Sequence, residues 1–168
     1  MSLTLVLVRH GKAAAKRLGQ TDFDRELTSA GREALAQAYG KTFAQLSDAH
    51  DVELWVSPAV RAEQTAAEIV AVLDTELAEE RRLDCLYEQD ADAFLDELST
   101  RVLEGPGVVV AVGHVPFMEQ LAAWLGGYEL PFSTGAAAAF ELKEPPSHAS
   151  AGHPPARLLW FVQGPRSS

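Results

Sequence analysis

What this chain has little of narrows it first. It carries one cysteine, Cys85, so no intramolecular disulfide can staple it. No uninterrupted apolar run reaches the roughly 18 residues that a membrane-spanning helix needs. No charged-then-apolar leader is recognisable either, so a reducing cytoplasm is the expected location and no membrane partner is expected. Basic residues are scarce: 14 Lys and Arg stand against 24 Asp and Glu, for a formal net charge of -10. Affinity for a phosphate backbone comes largely from basic surface, so nucleic acid is excluded as a partner. Any anion the protein handles must therefore be met by a local basic pocket.

The stretch that is rich instead is Leu3-Thr-Leu-Val-Leu-Val-Arg-His-Gly11. Six residues rich in branched apolar side chains read as a strand buried on both faces. The run passes directly into a cation, an imidazole and a glycine, so a buried strand aims chemistry out of its carboxyl end. In an open α/β sheet that end is where ligands bind. Gly11 is expected to let the backbone turn sharply beside His10.

Along the chain, polar and aperiodic Lys12–Arg25 reads as a loop on the same face. Leu27-Thr28-Ser29-Ala30-Gly31 opens a helix with Thr28 as its cap, and Leu35, Ala38, Tyr39, Thr42 and Leu46 recur at helical spacing. Val52–Ser57 is a second strand, closed by Pro58. Arg61 follows one turn later, ahead of a helix with Ala62, Ala66, Ile69 and Leu73 as its inner stripe. An Arg there adds a planar fork to the free N–H groups of a helix N-terminus, an arrangement suited to phosphate oxygens. Arg81–Tyr87 reads as a short strand or extended segment that carries Leu83 and Leu86 inward and delivers Glu88 to a loop, and Asp90–Glu104 as a helix with Phe94, Leu95, Leu98 and Val102 on one face. Val108–Val112 is a second wholly apolar strand, and it too ends at a histidine, in Gly113-His114; Pro116 starts the next helix. Ala136–Leu142 and Arg157–Gln163 form two last strands across Lys143–Ala156, a Pro- and Gly-containing surface connection whose His148 and His153 read as solvated. Strands alternating with helices give an α/β fold over one domain, residues 1–168. The expected architecture is a three-layer α/β/α sandwich with a mainly parallel central sheet and an antiparallel C-terminal strand pair.

Four of these segments together resemble a family. Leu7-Val8-Arg9-His10-Gly11, Leu27-Thr28-x-x-Gly31, Ser57-Pro58-x-x-Arg61-Ala62-x-Gln64-Thr65 and Gly113-His114 are similar, in order and approximate spacing, to the signature series of the histidine phosphatase superfamily. Lys12 after the Arg-His-Gly and the Asp22-x-Asp24-Arg25-x-Leu27-Thr28 approach to the first helix resemble its SixA-type phosphohistidine phosphatases. Phosphoglycerate mutases and fructose-bisphosphatases usually carry Glu or Gln, then Ser or Thr, where this chain has Lys12 and Ala13.

The resemblance implies a catalytic set of Arg9, His10, Arg61 and His114, with Gly11 joining Arg9, Arg61 and His114 in substrate binding. Phosphoryl transfer asks a protein to hold a phosphate in line and neutralise its equatorial oxygens, which two Arg and a second His can do without metal or cofactor. His10 would be the nucleophile, kept neutral by the neighbouring guanidinium charges. As metal ligands the four would be an odd set, since Arg repels a cation. Glu88 is the candidate acid for the leaving group, in competition with Asp22 and Asp24. The substrate expected is a phosphohistidine-bearing protein. A small phosphate ester is the alternative, and a non-catalytic phosphate-binding module a more distant one.

Overall fold

The computed structural model describes residues 2–146 and 153–166. Six strands form one sheet: β1 (Leu3–Arg9), β2 (Val52–Val56), β3 (Leu77–Arg82), β4 (Gly107–Gly113), β5 (Ala137–Leu142) and β6 (Arg157–Val162), in the order β3-β2-β4-β1-β5-β6. Strands β3, β2, β4 and β1 run parallel, and β5 and β6 close the other edge antiparallel. The helices are α1 (Ser29–Thr42), α2 (Val60–Val72), α3 (Asp84–Glu88), α4 (Ala91–Leu103) and α5 (Phe117–Gly126). No helix among the described residues is long and apolar enough to cross a membrane.

Strand side chains alternate between the two faces of the sheet, and each face has its own core. Leu3, Leu5 and Leu7 of β1 join Phe94 and Leu98 of α4 and Phe117 and Leu121 of α5. Val6 and Val8, from the same strand, join Leu35 and Tyr39 of α1 and Ala62 and Ile69 of α2. Helices therefore cover both faces, which makes the expected three-layer sandwich and explains why β1 and β4 are predominantly apolar. Thr28 caps α1 by accepting from the Gly31 N–H at 2.8 Å.

Some segments differ from the sequence reading. The extended stretch expected over Arg81–Tyr87 is two elements, β3 ending at Arg82 and the short α3 beginning at Asp84. β3 is an edge strand, so Leu77-Ala-Glu-Glu-Arg-Arg82 shows charge rather than an apolar run. The five residues of α3 are too few to display a helical period. Leu73, assigned to the inner stripe of α2, lies at that helix's C-cap and is half-buried. In the Lys143–Ala156 connection His153 is exposed, while His148 lies outside the described residues.

Candidate active site

Parallel pairing of β1 with β4 sets Arg9 opposite Gly113, so the residue following each strand is a histidine. The His10 N–H donates to the Gly113 carbonyl at 3.1 Å, and the two imidazole centroids lie 5.1 Å apart. On the far side of β4, β2 ends at Val56 opposite Val112, which delivers Ser57 to the same row. Three neighbouring strand tips thus contribute His10, His114 and Ser57. The first turn of α2 adds Arg61, which is buried against them.

Each ring is oriented by its neighbours. His10 Nδ1 is 2.7 Å from the Gly11 carbonyl, which can only accept, so Nδ1 carries the proton and Nε2 keeps its lone pair. Arg61 Nε donates towards that Nε2 at 3.4 Å. Burial pushes the His10 imidazolium down to about 3, opposed by the Gly11 hydrogen bond and reinforced by His114, Arg61 and Arg9. His114 is held at about 4 by burial first and then by the Arg61 charge. Its Nε2 lies 2.8 Å from Ser57 Oγ, which also accepts from the Ala59 N–H. With the hydroxyl donating to Nε2, the His114 proton sits on Nδ1, a buried nitrogen with no hydrogen-bond partner among the described residues. In that tautomer the buried N–H has no acceptor of its own. Arg9 is anchored through Nη1 to the Phe132 carbonyl at 2.8 Å, and its Nε is likewise buried without a partner.

Arg61 is held from outside. Its Nη1 donates to the Asp22 carbonyl at 2.7 Å and its Nη2 to Asp22 Oδ2 at 3.0 Å. Arg25 Nη1 reaches Asp22 Oδ1 at 3.1 Å, and the Tyr87 hydroxyl donates to Oδ2 at 3.1 Å. Burial alone would raise the Asp22 carboxyl, but the hydrogen bonds from Arg25 and Arg61, the Arg61 charge and Tyr87 hold it down at about 2. These groups surround a cavity of about 550 Å³ lined by Arg9, His10, Lys12, Asp22, Arg25, Arg61, Tyr87 and His114, among others.

Arg9, His10, Arg61 and His114 are therefore brought together, and two other assigned residues are not. Glu88 is exposed at the end of α3, and it is Tyr87 and Gln89, on either side of it, that line the cavity. Gly11 does not line the cavity either: its N–H is taken by Thr65 Oγ1 at 3.0 Å and its carbonyl by the His10 ring. Its backbone is not left-handed; a Cβ there would come within 2.7 Å of Leu35 Cδ1, so close packing of α1 is what calls for glycine. The sequence reading gave no role to Ser57, Thr65 or Tyr87. The first two lie inside the Ser57…Thr65 segment, where Arg61 and Thr65 are one helical turn apart and share a face of α2. Tyr87 carries no local signal. Among the described residues no group of three or more His, Cys, Asp or Glu stands together as a cation site.

The family model described as histidine phosphatase superfamily, branch 1, matches residues 5–92, from β1 through the segment that carries Tyr87. The chain belongs to the histidine phosphatase superfamily. Among solved structures it is similar to the protein histidine phosphatase SixA complexed with tungstate, at 26% identity and a TM-score of 0.78, over 95% of this chain and 96% of that one. It is also similar to the putative phosphohistidine phosphatase SixA from Agrobacterium tumefaciens, at 25% identity and a TM-score of 0.72, again over 95% and 96% of the two chains. A phosphoglycerate mutase from Bacillus anthracis shares the fold at 17% identity and a TM-score of 0.62, over 86% and 89%. No curated protein matches the chain.

Proposed function

We propose that this histidine phosphatase acts on phosphohistidine carried by a protein, without a metal, through a phosphoryl group held covalently on His10. The observation that carries the reading is the state of the acids. Among the described lining residues Asp22 is the one carboxyl group, and the hydrogen bonds from Arg25 and Arg61 keep it ionised. An alkoxide leaving group needs a proton from such an acid, and a carboxyl held at about 2 has none to give at neutral pH. An imidazole leaving from phosphorus does not need one when its other nitrogen is already protonated.

In the first step His10 Nε2 attacks phosphorus as the bond to the leaving atom breaks. Arg9 and Arg61 balance the charge on the equatorial oxygens, and His114 Nδ1–H donates to one of them. In the second step water takes the phosphoryl group and His10 is restored. The guanidinium charges supply what a metal would supply elsewhere. Similarity to two proteins named SixA, one of them bound to tungstate, a tetrahedral oxyanion, supports the same reading.

A protein substrate is supported by the loop that follows β1. Its base lines the cavity through Lys12 and Ala13, while Lys16, Arg17 and a fully exposed Leu18 stand at its tip. The loop is braced by Ala14 N–H to the Glu26 carbonyl at 2.8 Å and by Arg25 Nε to the Ala14 carbonyl at 2.9 Å. An exposed leucine beside two cations suits a partner's surface better than a metabolite.

The test compares rates on a phosphohistidine-bearing protein with rates on aryl and alkyl phosphates. Phosphohistidine should be fastest and alkyl esters slowest. Rapidly quenched enzyme should carry a label that survives alkali and is lost in acid, and His10→Ala should carry none. An alkyl ester turned over faster than any phosphohistidine would move the assignment to a small-molecule phosphomonoesterase, and an acid-stable label would overturn the mechanism.

A further inference from the structure

Asp22 is an anion among the cations that line the cavity, a placement that phosphate binding alone does not explain. His10 lies at the buried floor, so in-line attack points the leaving group outward, past Arg61 and towards the mouth. Asp22, half exposed, stands at that mouth on the outer edge of Arg61. A carboxylate offers about four lone-pair positions. Three are occupied here: two on Oδ2, by Arg61 and Tyr87, and one on Oδ1, by Arg25. Among these bonds Oδ1 carries the fewer, which makes it the oxygen placed to take a further donor.

We propose that Asp22 is a specificity-determining residue whose carboxylate accepts a hydrogen bond from the distal ring nitrogen of the substrate phosphohistidine, so that the imidazole reacts in its protonated form. The inference rests on the proposed function and adds the group that recognises the leaving ring. The balance of the step is simple. The P–N bond breaks with its electron pair going to the ring nitrogen, the new bond forms between phosphorus and His10 Nε2, and the ring departs as neutral imidazole with its proton still on the distal nitrogen. No proton passes to or from Asp22. Without that proton the ring would have to leave as an anion. The carboxylate also cancels charge: without it, Arg25 and Arg61 would both face the imidazolium uncompensated. The charged and titratable groups that share the cavity with it or lie beside it are Arg25 and Asp24 on its own turn, Lys12 on the preceding loop, Arg61 on α2, Tyr87 on α3, Arg9 and His10 at the end of β1, and His114 beyond β4.

The test uses the full chain with a phosphohistidine peptide and an aryl phosphate, in wild type, Asp22→Asn and Asp22→Glu. Loss of one hydrogen bond to a charged group should lower the ratio of kcat/KM on the peptide to that on the aryl ester by about 10- to 100-fold in Asp22→Asn. Asp22→Glu, which keeps the charge, should recover most of the ratio. The single-turnover rate on the peptide should fall at high pH, but at a pH above the free peptide's own ring titration, and Asp22→Asn should bring that limb back down. Equal losses on both substrates would mean that Asp22 only holds Arg61, and would overturn the proposal. So would a wild-type limb that coincides with the free peptide's titration, a reading that needs no variant to fold. Wild type that hydrolyses the aryl ester and not the peptide would instead refute the proposed function itself.

Discussion

The buried, neutral imidazoles make acid stability a quantitative test of the site. His10 and His114 are held at about 3 and about 4, against about 6.5 for an exposed histidine. The fold therefore disfavours the charged form. Above pH 6.5 both states of the chain hold the rings neutral and nothing is lost. As pH falls below 6.5, the unfolded chain takes two protons that the folded pocket refuses, so stability drops by about 2.7 kcal/mol per pH unit until His114 begins to titrate in place. By pH 4.5 the loss is about 5 kcal/mol, a large part of the 5–15 kcal/mol typical of a native domain. Asp22 stays outside this window, because its contribution is lost only below 3.8, as pH falls towards about 2. Urea unfolding at pH 7, 6, 5 and 4.5 reads the slope directly. His10→Gln should remove about one proton from it, or about 1.4 kcal/mol per pH unit, and His114→Gln about as much. A slope that both variants leave intact would refute the claim that these rings are buried in neutral form.

Other perturbations separate the parts of the machinery. Arg61→Lys keeps a charge but loses the fork that reaches His10 and Asp22 together, and kcat on an aryl phosphate should drop by about 10²- to 10³-fold, as when one donor to a developing oxyanion is removed. Chelators should leave the steady-state rate unchanged and vanadate should inhibit; loss of activity to a chelator with rescue by a divalent ion would contradict the metal-free reading. Charge reversal at Lys16 and Arg17 should slow association with a protein substrate in a salt-dependent way, measured by kcat/KM at several ionic strengths, and should affect an aryl phosphate far less. At the opposite end of the sheet, Glu53 pairs with Arg101 in a buried contact that also takes the Gly105 and Pro106 carbonyls. Glu53→Ala should cost about 3–5 kcal/mol in urea unfolding, since it strands a buried guanidinium, while the kinetics of the folded fraction stay intact.

The fold was legible where burial leaves a pattern. β1 and β4 lie at the centre of a sheet covered on both faces, so each appears as a run rich in branched apolar residues, and α1 shows its cap and its stripe. β3 was legible only at its end, inside the short strand or extended segment expected from Arg81, for the converse reason: an edge strand facing solvent carries charge, and Leu77 to Arg82 has no period to read. The four central site residues were legible because each follows an element with a strong signal of its own. His10 and His114 end apolar strands, and Arg61 opens a helix just after Ser57-Pro58. What could not be read from one strand alone is that Arg9 pairs with Gly113, the register that makes two remote histidines neighbours.

The acid shows where reading along the chain fails. Glu88 is the candidate because Leu86-Tyr87-Glu88 resembles the family's acidic position. In α3, though, successive side chains diverge by about 100°. Leu86 goes to the core, Tyr87 to the cavity, and Glu88 to solvent. Asp22 looked like an ordinary loop charge because its partners are Arg61, 39 residues away, and Tyr87, 65 residues away. Sequence spacing carries no trace of such contacts, and those contacts decide its chemistry: a carboxylate with two guanidinium groups and a phenol around it is an acceptor and not a proton source. The carboxyl group at the site is therefore the opposite of a general acid, an anion at the mouth of a cationic pocket. A pocket so built favours a leaving group that arrives with its own proton.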